Sequence, residues 1–183
     1  GMDATRLARF APAFLDPAAG ADVAASGLGT VTAGNSCGFS DGAAAMAVTS
    51  EEVARELGLP ALRVRAATVA AGDPALPGLG AAPAARAALV RAGLAPDDLG
   101  FIEITEAFAA QVLAVTDELG LDEGLVSADG GAIALGHPWG ASGAVLLVRL
   151  AARMAAADDP RPGLAACSIG GGQGVAMIVE RVA

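Results

Sequence analysis

Four short clusters of glycine with polar or reactive side chains are the parts of this sequence that could do chemistry. They are GNSCG at Gly34–Gly38, TEAF at Thr105–Phe108, GHPWG at Gly136–Gly140 and CSIGGG at Cys167–Gly172. Each cluster lies near the end of a predicted helix or strand, and loops at the carboxyl ends of strands form the ligand site in open α/β sheets. A glycine-rich turn can also point backbone N–H groups at an oxyanion. The clusters therefore predict one shared pocket, although their spacing alone does not bring them together.

The composition excludes several kinds of site. All eleven basic residues are Arg, so no lysine can form a Schiff base, hold pyridoxal phosphate or serve a P-loop. The single histidine, His137, excludes an H-E-x-x-H zinc site, and two cysteines with one histidine do not supply the usual four structural ligands. We therefore expect no metal and no resident cofactor.

Charge and hydropathy restrict the partners. Twenty acidic residues against eleven basic ones give a formal net charge of -9, which repels nucleic acid and anionic lipid. The longest apolar stretch is interrupted by Arg149 and Arg153 and is shorter than the roughly 20 residues that cross a bilayer. Two cysteines and no charged, apolar leader predict a cytoplasmic protein. We expect neither nucleic acid nor a membrane as a partner.

The clusters must be positioned by alternating strands and helices. The 183 residues, 54% of them hydrophobic, are enough for one domain with a buried core. Residues 1–29 are predicted to form an arm or loop with a short helix near Arg6–Phe10, and residues 30–183 to form the domain. Strands are expected at Leu62–Val69, Phe101–Ile104, Val126–Leu135, Leu164–Ile169 and Val175–Val179, and helices at Ser50–Gly58, Pro83–Arg91, Glu106–Leu119 and Gly140–Met154. Ala43–Thr49 fits a strand or a buried helix. This alternation with a closing hairpin predicts an α/β layered domain with a mixed sheet.

The motifs resemble those of the thiolase superfamily. The resemblance is carried by GAIALGHPWGASG at Gly131–Gly143, DGAA at Asp41–Ala44 and GGGQG at Gly170–Gly174. It covers about Pro12–Val182 but corresponds only to the C-terminal half of a typical member, without the half that bears the acyl-accepting cysteine. It implies a layered αβαβα fold when both halves are present, of which this chain would form one αβα half, and the five predicted strands would form its mixed sheet. It also implies Claisen condensation or thiolysis of acyl-CoA, with the coenzyme A thioester as substrate.

Two site residues follow from matching the motifs position by position. The resemblance makes His137 the histidine that activates the nucleophile and helps to polarise the thioester oxygen, and an imidazole suits both tasks. It makes the Gly170 N–H an oxyanion donor. Without the motifs, a histidine capping a helix and a glycine in a tight turn would be the simpler interpretations.

Two departures from the family pattern bear on activity. Thr105 stands where the family has an Asn that holds a water for the enolate oxygen, and a threonine hydroxyl has a shorter reach. Ser168 stands where the family has the Cys that moves the α-proton. A cysteine has a pKa of about 8.5, whereas a serine hydroxyl is far less acidic and needs a neighbouring base. We therefore expect the condensation cycle to be weak or absent even when the missing half is supplied.

Neither cysteine is predicted to replace the missing group. Cys167 lies one residue before the acid/base position, and successive side chains of a strand point to opposite faces. We therefore expect its thiol to point away from the pocket and to pack as a small hydrophobe. Cys37 lies where the family has a small residue, and we interpret it as packing too.

Three hypotheses of function remain, and whether the isolated chain is an enzyme is left open. The chain is a catalytic C-terminal thiolase half, a non-catalytic acyl-CoA-binding or assembly subunit, or a purely structural module. The predicted helix Gly140–Met154 is apolar on nearly every side, so a monomer would expose a large apolar patch. We therefore expect either a homo-oligomer or a complex with an N-terminal thiolase-half chain.

Overall fold

A mixed sheet of four strands forms the centre of the molecule. The computed structural model describes residues 3–14, 29–58 and 60–182. Strands β1 (Leu62–Ala71), β2 (Phe101–Ile104), β3 (Gly163–Ile169) and β4 (Gln173–Arg181) lie in the order β1-β4-β3-β2. Strand β2 runs parallel to β3, and the other two pairs are antiparallel. The predicted α/β fold with a mixed sheet and a closing hairpin is confirmed.

Local signals in the sequence set the ends of the helices. The described residues form α1 (Ala4–Leu7), α2 (Glu51–Leu57), α3 (Ala81–Ala92), α4 (Ala109–Leu119), α5 (Ala132–Leu135) and α6 (Ser142–Ala156). The Ser50 side chain accepts a hydrogen bond from the Val53 N–H and caps α2. Gly93 and Gly120 end α3 and α4 with φ of 68° and 64°, a conformation that favours glycine.

One face of the sheet, here called the covered face, lies under α3, and α4 packs against α3. Alanines on α3 allow it to lie close to β1, β3 and β4, and Ala84, Ala85 and Ala88 are fully buried. The backbones are closest where α3 begins, because a Cβ on Gly80 would lie 1.9 Å from the carbonyl oxygen of Gln173. Only glycine fits at that position.

The opposite face, here called the open face, is only partly covered by the described residues. Helix α6 packs on β2 and β3, where Leu146, Leu150 and Met154 are buried in a second apolar cluster. Beyond α6, on β1, Val69 projects to this face and is 73% exposed. Val148 on the outer side of α6 is exposed as well. Apolar surface from both the sheet and the helix therefore meets solvent.

The sheet has four strands where five were predicted. In the segment predicted as the strand Val126–Leu135, Val126 makes one isolated bridge to Ile102, and the chain then turns into α5. Ser127 has a φ of 44° and Gly130 a φ of 84°, so the backbone cannot continue as a strand.

Two other expectations differ from the structure. Ala43–Thr49 forms neither a strand nor a buried helix, and Val48 is 95% exposed. The helix expected near Arg6–Phe10 is α1, capped by Asp3. Residues 15–28 of the predicted arm lie outside the described residues, and the boundary at residue 29 stays a prediction. Within the described ranges, no helix has the length and apolar character needed to span a membrane.

Candidate active site

The four glycine clusters of the sequence lie side by side. Backbone hydrogen bonds join the GNSCG cluster to the TEAF cluster and to the GHPWG cluster. Another joins the TEAF cluster to the strand that leads into CSIGGG. They run from Cys37 N–H to Ala107 O (3.0 Å), from His137 N–H to Gly38 O (2.9 Å) and from Thr105 N–H to Ala166 O (3.1 Å). The loops therefore meet at one edge of the domain, where β2 and β3 end.

His137 is held by the start of α6. Its Nδ1 lies 2.6 Å from the hydroxyl of Ser142, the first residue of that helix. The side chain is half-buried, and burial lowers its pKa below the ordinary value of 6.5. The imidazole is therefore neutral at pH 7. With Nδ1 engaged by Ser142, Nε2 is the nitrogen that can exchange a proton with a substrate.

Thr105 is buried at the end of β2 and contacts Cys167. The parallel register pairs Ile104 with Ala166, so the next residues, Thr105 and Cys167, also lie side by side. Thr105 Oγ1 lies 3.0 Å from Cys167 Sγ. We expected the thiol to point away from the site, and this was wrong, because paired residues of neighbouring strands project to the same face. Burial raises the pKa of the Cys167 thiol, which is therefore protonated at pH 7.

Ser168 projects to the covered face, away from Cys167. Its hydroxyl donates to Gly78 O at 2.7 Å and accepts from Ala81 N–H, at the first residue of α3, at 3.0 Å. Cys167 instead packs against the apolar cluster under α6. The alternation of a strand explains this opposition. The Ser168 hydroxyl thus joins the end of β3 to the start of α3.

Gly170 lies exposed at the turn between β3 and β4. A Cβ at this position would meet no atom within 4 Å. The next two glycines have φ of 86° and 74°, and Gly172 O accepts a hydrogen bond from Gly72 N–H at 2.6 Å. The turn is therefore anchored at Gly172, while Gly170 has open space around it.

Two hollows flank the segment 131–138, here called the His137 loop. The smaller one is lined by Thr105, Ser142, Arg149 and residues of the 131–138 segment, so it joins Thr105 to the partner of His137. An open cleft on the other side is lined by Phe39, Ser40, His137, Pro138 and Trp139. In that cleft the rings of Phe39 and Trp139 meet edge to face, with centroids 5.2 Å apart. The side chains of His137, Thr105 and Ser168 form no hydrogen bond with one another.

Sequence reasoning missed two residues that hold the site together. Ser142 bonds the imidazole, and its place five residues after His137 at the start of a predicted helix was the available signal. The Glu106 carboxylate accepts from Ile133 N–H at 3.1 Å. A Cβ on Gly131 would lie 2.2 Å from that carboxyl carbon, so Gly131 leaves room for it.

Comparison with known proteins agrees with this architecture. The sequence model of the family described as "Thiolase, C-terminal domain" matches residues 59–181. The acetyl-CoA acetyltransferase of Thiocystis violacea is 48% identical over 183 residues, which are all of this chain and 43% of that protein. The Bacillus anthracis acetyl-CoA acetyltransferase superposes with a TM-score of 0.87 at 40% identity, over 98% of this chain and 43% of that one. Human mitochondrial 3-ketoacyl-CoA thiolase in complex with CoA gives a TM-score of 0.81 at 33% identity, over all of this chain and 43% of that one.

These matches establish the class of the protein. The chain belongs to the thiolase family. It corresponds to the C-terminal half of the fold, and it spans about 43% of the length of the relatives it matches. The family resemblance drawn from the motifs is confirmed.

Proposed function

We propose that this chain is the C-terminal half of an acyl-CoA C-acyltransferase whose catalysis depends on a partner that supplies the N-terminal half. The proposed reaction is thiolysis, in which acetoacetyl-CoA and CoA give two molecules of acetyl-CoA. In this proposal the N-terminal half supplies the nucleophilic thiol. The observation that carries the proposal is the placing of His137, neutral and oriented through Ser142, at the edge where all four loops meet.

His137 is the group suited to proton transfer in this reaction. A general base works best when it is unprotonated near neutral pH, and burial keeps the imidazole in that form. It would take the proton of the partner's thiol through Nε2. The Gly170 N–H, exposed at the β3–β4 turn, is proposed to bind the thioester oxygen as charge develops on it.

Catalysis by the completed protein is proposed to be weaker than that of its relatives. Ser168 stands at the acid/base position, and its hydroxyl already donates to Gly78 O and accepts from Ala81 N–H. A hydroxyl that is already hydrogen-bonded in this way is a poor proton shuttle. Serine is in addition far less acidic than cysteine. The Thr105 hydroxyl contacts Cys167 and is proposed to hold a water less firmly than an asparagine amide would.

The open face supports the dependence on a partner. It leaves Val69 of β1 and Val148 of α6 exposed, and the irregular segment 43–49 carries further exposed apolar side chains. Exposed apolar side chains on a sheet and on the helix beside it favour an interaction site. The relatives are more than twice as long as the matched region, so the proposed occupant is the rest of a thiolase polypeptide. A second copy of this chain is the other occupant to be tested.

Reconstitution tests the proposal directly. The chain is mixed with the remainder of the Thiocystis violacea enzyme, the part outside the matched region, and thiolysis of acetoacetyl-CoA with CoA is measured. The chain alone is expected to show no turnover, and the mixture is expected to show activity. His137→Ala is expected to lower the activity of the mixture about 10²- to 10⁴-fold. Turnover by the isolated chain, or a mixture that binds but is unaffected by His137→Ala, contradicts the proposal.

Two matched valines test the docking surface. Val69 on the open face is 73% exposed, and Val90 on the outer side of α3 is 76% exposed. Val69→Glu is expected to weaken the complex, because a carboxylate would be buried without a partner. Val90→Glu is expected to leave the complex unchanged. Analytical ultracentrifugation of each variant, alone and with the complementary half, separates the heterologous complex from self-association.

A non-catalytic acyl-CoA-binding or assembly subunit is the second candidate. It is favoured by the hydrogen bonds of Ser168, which leave its hydroxyl without a role in proton transfer. Ser168→Cys in the reconstituted complex discriminates the two. A gain of turnover shows that the complex is catalytic and is weakened at position 168. Calorimetric binding of acetyl-CoA without turnover in either form favours the binding subunit.

A further inference from the structure

An acidic side chain is fully buried on the open side of the sheet, between two arginines of one helix. Glu103 on β2 has no solvent exposure. Arg149 Nε lies 3.1 Å from one of its carboxylate oxygens, and an Arg153 terminal nitrogen lies 2.7 Å from the other. Both arginines belong to α6 and are separated by one helical turn. This arrangement neutralises the buried carboxylate from two sides.

The same two arginines also hold the backbone of the segment that leads to His137. Arg149 donates to Gly130 O, and Arg153 donates to Leu125 O at 3.3 Å. Both ends of the 125–130 segment are thus tied to α6. Within this segment Ser127 has a φ of 44°, which is unfavourable for a residue other than glycine. Contacts from the surrounding structure are needed to hold this conformation.

Helix α6 therefore contacts the His137 loop and the segment before it at three places. Ser142 bonds the imidazole, Arg149 bonds Gly130 just before Gly131–His137, and Arg153 bonds Leu125. Arg149 also lines the small hollow that Thr105 and Ser142 share. Glu103 fixes the direction of the Arg149 guanidinium, because Nε is bound to the carboxylate while a terminal nitrogen reaches Gly130.

We propose that Glu103 is a positioning residue for His137, acting through Arg149 on the segment that carries the imidazole to Ser142. The proposal rests on the proposed function, in which His137 is the catalytic base. Glu103 and Arg149 touch no reacting atom. Their effect is to fix the orientation and the tautomer of the ring.

The Arg149→Lys variant provides a sharp test. Arg149→Lys keeps the positive charge against Glu103 but replaces the planar fork by a single ammonium, which cannot serve the carboxylate and Gly130 O in the same way. Arg86 is the matched control, because its guanidinium also bonds a glutamate carboxylate and a backbone carbonyl, both of Glu118, on the exposed surface of α3. Arg86→Lys leaves the His137 loop untouched.

The readout is the imidazole itself. His137 is the only histidine, so its two ring nitrogens give one pair of NMR signals, whose shifts at pH 8 report the tautomer and the bond to Ser142. The full chain with Arg149→Lys is expected to show shifted ring nitrogens and a mixture of tautomers, whereas Arg86→Lys matches the wild type. Glu103→Gln is expected to act in the same direction, and Arg149→Lys decides the question if that variant does not fold.

The outcomes separate this proposal from the proposed function. Shifted ring nitrogens in Arg149→Lys support it, even if the reconstituted protein shows no thiolysis. Wild-type ring nitrogens in a folded Arg149→Lys protein overturn it, even if its melting temperature falls, because a purely structural arginine would change stability alone.

Discussion

The two faces of the sheet differ in how completely they are covered and in what lies on them. On the covered face, α3 and α4 enclose an apolar core that is rich in alanine, and the backbones of Gly80 and Gly174 are in contact. On the open face, α6 packs on β2 and β3 and its apolar cluster extends to Val179 of β4, and Glu103, Thr105 and the His137 loop lie on its side. The stability of this chain and its candidate chemistry therefore depend largely on opposite sides of one sheet.

The largest effect is expected where the backbones of the covered face touch. Gly80→Ala places a Cβ 1.9 Å from the Gln173 carbonyl oxygen, and backbone cannot move aside as a flexible side chain can. We expect a loss of more than about 3 kcal/mol in the free energy of unfolding, measured by urea denaturation. Gly143→Ala, at the start of α6 with no atom within 4 Å of the new Cβ, should change stability by no more than about 1 kcal/mol and in the favourable direction. Equal effects at the two positions would contradict the difference between the faces.

A smaller loss is expected on the inner side of α6. Leu150 is fully buried against β2 and β3, so Leu150→Ala should cost about 3 kcal/mol through lost burial and the cavity it leaves. Val148→Ala on the outer side of the same helix should stay within about 0.5 kcal/mol in the isolated chain. Its effect should grow when the complementary half is bound. A large loss for Val148→Ala without a partner would show that the outer side is already covered.

Removing the Ser168 hydroxyl tests the connection between β3 and α3. Ser168→Ala loses hydrogen bonds to Gly78 O and Ala81 N–H, and we expect a cost of about 1 to 2 kcal/mol in unfolding experiments. Cys167→Ala on the opposite face removes a packed thiol and its contact with Thr105. A purely catalytic Ser168 would change turnover without this loss of stability.

The smallest effect is expected from the ionisation of His137. Burial lowers its pKa in the folded chain below 6.5, so the unfolded chain binds the proton first as the pH falls. The stabilising contribution is therefore present above pH 6.5 and is lost as the pH falls through the lower folded value. Denaturation of the wild type and His137→Gln between pH 8 and pH 5 should show a slightly steeper fall for the wild type. A steeper fall for His137→Gln would reverse the sign.

The sequence predicted the elements whose signals are local. Ser50 and Gly58 marked both ends of α2, and the apolar runs of β3 and β4 predicted the antiparallel hairpin. The segment Val126–Leu135, which carries glycines and small residues, was predicted wrongly as a strand with a bend, because the φ of 44° at Ser127 depends on tertiary contacts. Ala43–Thr49 was predicted as a strand or buried helix from apolar content alone, and in this chain it is exposed.

The candidate site was predictable only as far as the motifs reach. They led to His137, Thr105, Ser168 and Gly170, but not to how these side chains are oriented. That Thr105 meets Cys167 depends on the register of β2 against β3, which sequence spacing does not provide. The burial of Glu103 between two arginines of α6 depends in the same way on the docking of that helix.

Trp139 lies in the cleft beside His137. It is the only tryptophan of the chain, and it lies two residues after the only histidine. A protonated imidazole quenches indole emission at short range, so the fluorescence intensity of the unlabelled protein should follow the charge of His137. The emission wavelength responds separately to loss of water around the ring. The chain thus carries a built-in optical probe that distinguishes a change in protonation from the arrival of a partner.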